Sequence, residues 1–332
     1  MVSVALKYAG DRLLQQRTLM TAASPFFLRG SPAASALLAG SSSSWLGNGK
    51  HGHDNHRLYL DAPQKRTMGT WPKLRPKRIR MITFDVTGTI VSFRGTLEEH
   101  YLGAADKLGV HNVDSSKFTD AFSQAYRETS KLHPCFGGDE MTAKEWWRQC
   151  VLKSFYYAGV TMDSHTAEML FQRIYSTFGS INAYEVFPDA IPFLNWANRH
   201  GLVCGVLSNA DERYGDSVLP MLGLTHDELQ FQCFSKDLRL EKPDPRVFVA
   251  AIHKGEAFLA TNEPIEPSNV LHIGNDFQKD FEGARRVGIH GVLLDRYKED
   301  ELAGEWRRRG APVFRDLLDV VEFLGRSGCT LG

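Results

Sequence analysis

The chain has 332 residues, with 39 Lys plus Arg against 39 Asp plus Glu, so its overall charge gives no sign of a nucleic-acid partner. That length allows a large core and more than one domain. The five cysteines (Cys135, Cys150, Cys204, Cys233, Cys329) are scattered and form no Cys-x-x-Cys pair, which argues against a zinc site or a disulfide framework and for a reducing compartment. No apolar run approaches the ~20 residues needed to cross a bilayer, so no membrane insertion is expected.

Residues 1–77 read as an extension rather than as part of a fold. Val2, Leu6, Ala9, Leu13 and Met20 share a helical face flanked by Arg12 and Arg17, and a Ser/Ala-rich, acid-poor stretch follows. This is the pattern of a mitochondrial transit peptide. An extension without an address, leaving the protein in the cytoplasm or nucleus, and a true start at Met68 are the alternatives.

The next stretch, IRMITFDVTGTIVSF, begins at Ile79. Ile79, Met81, Ile82 and Phe84 form a short apolar run that Asp85 ends, and Gly88 lets the chain turn before Ile90 and Val91. Such a run suits a buried parallel strand that delivers a carboxylate to its C-terminal edge, where open α/β sheets bind ligands. Residues 97–178 then carry helical signals almost throughout, including a box-like Thr142/Glu145 pair ahead of Trp146 and Trp147. They predict a helical insertion spanning residues 97–183, a domain of its own. Trp146 and Trp147 suit either its core or a substrate pocket.

After the insertion, strands alternate with helices. A helix over residues 188–200 leads to a buried strand, residues 202–207, ending in Ser208-Asn209. A short strand at 231–234 precedes Lys242-Pro243 and a helix capped by Asp244. A strand at 270–273 ends in Gly274-Asn275-Asp276, with Asp280 four residues later, and the last clear strand is 291–294. The alternation predicts an α/β fold, a doubly wound Rossmann-like parallel sheet built from residues 78–96 and 184–326 with the helical insertion after its first strand.

An Asp, a Ser, a Lys behind a loop and an acidic pair at successive strand ends resemble the haloacid dehalogenase superfamily of hydrolases over about residues 78–326. DVTGT at 85–89, LSN at 207–209, EKPDPRVF at 241–248 and HIGNDFQKD at 272–280 match its four motifs in order, and FGGD…EWW at 136–147 matches a narrower group within it. The resemblance implies a central Asp85 strand, a helical cap and a Mg²⁺ ion held by Asp85, the Thr87 carbonyl, Asp276 and Asp280. It implies a small phosphorylated substrate, with Asp85 attacking phosphorus to form an aspartyl-phosphate. Lys242 would supply positive charge and Ser208 a hydrogen bond, with Asn209 beside it. Two positions depart from the pattern. Thr87 stands where family phosphatases carry an acid/base aspartate, a loss worth ~10²–10⁴-fold in leaving-group protonation. Asn275 stands where an aspartate usually follows the glycine. DVTGT also resembles the DKTGT of ion-pumping ATPases, whose membrane helices are missing here. A slow or specialised phosphatase, a member that binds a phosphate ligand or a protein with little turnover, and a carbon–halogen hydrolase are the three readings. Against the last stand the acidic pair and the absence of an aromatic residue at position 87. The substrate's identity and the oligomeric state stay open.

Overall fold

Alternating strands and helices wind into one parallel sheet. The computed structural model describes residues 78–111, 113–261 and 263–332, and the extension with its targeting signal lies outside them. The strands are β1 (Arg78–Ile79), β2 (Met81–Phe84), β3 (Val91–Phe93), β4 (Tyr184–Val186), β5 (Val203–Ser208), β6 (Phe231–Phe234), β7 (Val270–Gly274), β8 (His290–Leu294), β9 (Val313–Phe314) and β10 (Thr330–Leu331). Six of them form the main sheet in the order β6-β5-β2-β7-β8-β9, every neighbouring pair parallel. Thus β2, which precedes Asp85, lies inside the sheet between β5 and β7, as expected. The two-residue edge strand β9 is too short to show a pattern in sequence, and the sequence reading passes over it.

Strands buried on both faces must be apolar throughout, and β2 and β5 have every residue buried. Alternate residues serve opposite layers. Ile82, Phe84, Cys204, Val206, Leu271 and Ile273 join one apolar cluster, whereas Met81, Val203, Leu207 and Val270 join another with Val247, Phe248 and Ala251. Fully burying a side chain of this kind stabilises by roughly 1.5–3 kcal/mol, an upper figure because the unfolded chain already hides some surface.

Between β3 and β4 stand four helices: α1 (Leu97–Asp106), α2 (Ser115–Leu132), α3 (Ala143–Tyr157) and α4 (Ser164–Thr177). The apolar faces of α1, α2 and α3 meet in an aromatic centre of Tyr101, Phe118, Phe122 and Phe155. This centre runs without a break into the first sheet cluster. Thr142 caps α3 by accepting from the Glu145 amide at 3.1 Å, but the reciprocal capping box forms at Thr96 and Glu99, ahead of α1. Helices α5 (Ala190–Arg199), α6 (Pro245–Glu256), α7 (Asp300–Arg308) and α8 (Leu317–Arg326) belong to the sheet layers. Asp244 caps α6 through the Arg246 amide at 2.9 Å, with Pro245 at its first turn.

β5 and β6 are held together by one tight fit. Gly205 pairs with Phe231 across the ladder, and a Cβ at Gly205 would lie 2.3 Å from the Phe231 ring. Phe231 is itself fully enclosed, so the ring cannot swing away. Gly205→Ala is therefore expected to lower stability by about 1–3 kcal/mol, the usual cost of overpacking a core, without loss of the folded far-ultraviolet spectrum. Denaturant unfolding monitored by circular dichroism checks it; an unchanged midpoint would mean that the ladder relaxes freely.

Candidate active site

The site grows from strand ends. Beyond Asp85 the chain leaves the main sheet, and Gly88, at φ 81°, makes the turn that a side-chain-bearing residue would strain to make. Asp85 is left at the sheet edge with its amide donating to the Ile273 carbonyl at 2.9 Å. From the end of β5, Ser208 Oγ donates to Asp85 Oδ1 at 2.9 Å. From the loop ahead of α6, Lys242 Nζ donates to the same oxygen at 2.9 Å and to Asp280 Oδ1 at 2.6 Å. Asp85, Thr87, Ser208, Asn209, Lys242 and Asp280 are thus brought to one place.

Asn209 has a different task from its neighbours. Its Oδ1 accepts from the Lys242 amide at 2.7 Å and its Nδ2 donates to the Lys242 carbonyl at 2.9 Å. The two bonds clamp the backbone of Lys242 and so aim its ammonium. Burial alone would lower the Lys242 ammonium's pKa, but Asp280 and then Asp85 outweigh it and raise it. Lys242 therefore carries its charge at neutral pH.

Asp280 is engaged on both carboxylate oxygens. Its Oδ1 accepts from Lys242 and lies 3.1 Å from His272 Nε2, while its Oδ2 accepts from the amides of Asn275 and Asp276 at 3.0 and 2.8 Å. Both oxygens have partners, and Asp280 is the buried counter-ion of Lys242. Burial would raise its carboxyl, yet the Lys242 ammonium and the His272 donor hold it far below the usual carboxylate range. A Cβ on Gly274 would sit 2.2 Å from the Asp280 carboxyl carbon, which explains the glycine in this motif. Asp276 uses Oδ1 to cap the following turn, accepting from the Gln278 and Lys279 amides at 3.0 Å each. Asp276 and Asp280 are thus held by turn amides and by Lys242, and their expected pairing at a metal rests on the resemblance. Among the described residues no three His, Cys, Asp or Glu side chains converge as a metal cluster. Of the oxygens that the resemblance assigns to Mg²⁺, Asp85 Oδ2 takes neither the Ser208 nor the Lys242 donor. A small set of protein oxygens matches the ion's habit of keeping water and substrate phosphate in its shell.

Thr87 is buried, and its hydroxyl lies 3.1 Å from the Tyr214 hydroxyl. Burial pushes the Tyr214 phenol well above its ordinary pKa, so it stays neutral. Neither Tyr214 nor the neighbouring Asp211-Arg213 pair was singled out from the sequence. Asp211 is fully buried, accepts twice from the Arg213 guanidinium (2.9 and 3.0 Å) and accepts from Trp147 Nε1 at 2.6 Å. Arg213 also stacks 4.1 Å from the Tyr175 ring. Trp146 and Trp147 are thus core residues, and Trp147 joins the insertion to the loop behind Ser208. A second tie lies alongside. Cys135 and Phe136 take positive φ, and the Lys236 ammonium binds the carbonyls of Phe136, Gly138 and Met141 at 3.2, 2.6 and 2.7 Å. The signature segment 136–147 therefore docks the insertion on the sheet. A Ser-Asn-Ala-Asp run invites attention to Asp211, but only the fold brings Trp147 to it.

Residues 79–288 match the haloacid dehalogenase-like hydrolase family. Haloacid dehalogenase-like hydrolase domain-containing protein 3 of Bos taurus is 30% identical over 261 residues, covering 76% of this chain and 98% of its own length. Its Homo sapiens namesake is 32% identical over 218 residues, covering 65% and 82%. A solved L-2-haloacid dehalogenase from Xanthobacter autotrophicus shares the fold with a TM-score of 0.51 at 19% identity, over 75% of this chain and 98% of that one. On the match to the family and on the likeness to the bovine and human proteins, this chain belongs to the haloacid dehalogenase-like hydrolases.

Proposed function

We propose that the protein is a phosphoric monoester hydrolase working through Asp85 on a small phosphorylated substrate, with the helical insertion as its cap. The observation that carries this reading is the double bond to Asp85 Oδ1, from Ser208 Oγ and Lys242 Nζ at 2.9 Å each. It pins the carboxylate and leaves Oδ2 to attack. In the first step Asp85 Oδ2 bonds to phosphorus and the ester P–O bond breaks, so that the alcohol leaves as its oxyanion and takes a proton. In the second step water attacks the aspartyl-phosphate, releasing inorganic phosphate, returning the carboxylate and giving up a proton. Ser208 and Lys242 hold Asp85 throughout, and Lys242 sets a positive charge beside the incoming phosphoryl oxygens.

Charge arithmetic points to a further cation. Asp85, Asp280 and Lys242 sum to −1, and a phosphate dianion would bring the site to −3. Mg²⁺ suits the oxygens that the resemblance assigns to it, Asp85 Oδ2 among them, and when bound it supplies the positive charge that lets two anions meet. Thr87 cannot act as an acid near neutral pH, and its hydroxyl is paired with that of Tyr214. This supports slow turnover with poor leaving groups, or a ligand-binding protein with little turnover. Displacement of halide from carbon uses the same attacking carboxylate. Thr87, which is not the aromatic residue such enzymes carry at this position, favours phosphate.

The deciding experiment is a screen of phosphate esters with and without Mg²⁺, alongside 2-chloropropionate. Mg²⁺-dependent phosphate release that Asp85→Asn abolishes is the expected result. Chloride release would establish the halogen reading, and no release of either product from folded protein would leave ligand binding. Thr87→Asp should raise hydrolysis of alkyl phosphates by at least ~10-fold, with a smaller gain on aryl phosphates whose leaving groups need no proton. Steady-state rates on the two ester classes check this, and equal gains would remove Thr87 as the missing acid.

Lys242→Met should destabilise the fold by about 3–5 kcal/mol at pH 7, the usual cost of stranding a buried charge. In the parent, Asp280 has a depressed pKa, so its stabilising effect is present above the ordinary carboxylate range and is lost as pH falls below it. Without Lys242, burial instead raises the Asp280 carboxyl and its protonation relieves the strain. The deficit of the variant should therefore be largest near neutrality and shrink as pH falls towards about 4–5, by denaturant unfolding at each pH.

A further inference from the structure

Strand β7 carries a histidine where a doubly buried strand calls for an apolar residue. His272 is fully enclosed, and both ring nitrogens are bonded. Nδ1 lies 2.8 Å from Thr83 Oγ1, its direct cross-strand partner on β2, and Nε2 lies 3.1 Å from Asp280 Oδ1. The Phe248 ring stands edge-on at 5.3 Å. Asp280 is an acceptor only, so Nε2 must carry the proton towards it. Nδ1 then accepts from Thr83, whose hydroxyl can donate. Burial, joined by the Lys242 charge, lowers the ring's pKa and favours this neutral form. The bonds form a chain that begins on β2 and ends on the residue that follows it, running Thr83, His272, Asp280, Lys242, Asp85.

We propose that His272 is a positioning residue of the site, which, oriented by Thr83, holds the Asp280 carboxylate so that the Lys242 ammonium meets Asp85. This deepens the phosphoryl-transfer reading and rests on it. The Asn275 and Asp276 amides fix only Oδ2 of Asp280. The His272 bond fixes the Oδ1 edge, the one that Lys242 shares, and without it the carboxylate can pivot about Oδ2. Lys242 has a second acceptor in Asp85 and would follow.

His272→Leu removes the donor and keeps the volume, whereas His272→Gln keeps an N–H near the position of Nε2. With p-nitrophenyl phosphate and Mg²⁺, His272→Leu should lower kcat by about 10-fold or more, as small misplacements of a reacting group do, with KM little changed. His272→Gln should recover most of the loss. A folded His272→Leu protein with parental kcat would overturn the proposal, as would equal losses in the two variants. Nitrogen-15 spectra of the parent ring should show protonated Nε2 and bare Nδ1; the opposite tautomer would also overturn it. If the parent does not hydrolyse the ester at all, the phosphatase reading fails by itself. The positioning role is then read from the Lys242 ammonium signal, which should be protected from exchange in the parent and His272→Gln and lost in His272→Leu. Protection retained in all three would reject it.

Discussion

One ammonium group, buried between two carboxylates, governs the arrangement of the active edge. Lys242 Nζ reaches Asp85 and Asp280 at 2.9 and 2.6 Å with almost no exposure of its own. Three charges removed from water in this way are costly unless each finds partners. The surrounding structure supplies them. The Asn209 side chain clamps the lysine backbone, two amides and His272 take up Asp280, and Ser208 joins the lysine on Asp85. Such a network adds little net stability over an apolar core. What it provides is a carboxylate held in one orientation at the edge of a rigid sheet, which is what an attacking group requires.

That demand also explains why the motifs contain residues with no direct part in chemistry. Gly274 is small because the Asp280 carboxyl occupies the space above it. Asn209 faces backbone and not substrate. The histidine of HIGND is polar inside an apolar layer because the network needs a donor beneath the lysine. Each of these residues holds another in place.

The insertion is attached by the same means, with buried polar contacts at selected points of an otherwise apolar junction. Trp147 donates to Asp211, which Arg213 neutralises, and Lys236 gathers three carbonyls of the 136–141 turn. Asp211 lies three residues beyond Ser208 and Tyr214 six, so the docking contacts and the partner of Asp85 share one segment of chain. Tyr214 contacts Thr87 directly. In this chain the position that family phosphatases give to an acid is therefore coupled to the loop that receives the insertion.

Much of this was legible in sequence. Short apolar runs with polar ends, spaced by helical stretches, determine a parallel doubly wound sheet, because only a strand buried on both faces tolerates such runs. Asp85 and Ser208 could be picked out since each stands at a strand end, Lys242 since its loop opens into a helix, and Asp244-Pro245 announced that helix by capping chemistry alone. Local pattern could not separate the roles within the acidic motif. Asp276 and Asp280 look like a pair on paper, and it is the three-dimensional distribution of donors that gives one to a turn and the other to Lys242. The same holds for Thr142 and Glu145, whose box-like spacing yields one bond, and for β9, whose two residues carry no period. His272, Asp211 and Tyr214 acquire meaning only from partners 189, 64 and 127 residues away in the chain. Sequence determined which strands end in reactive groups, because burial and periodicity are local properties of the chain. Tertiary structure decided which of those groups face one another, because hydrogen bonding and charge pairing depend on distance in space.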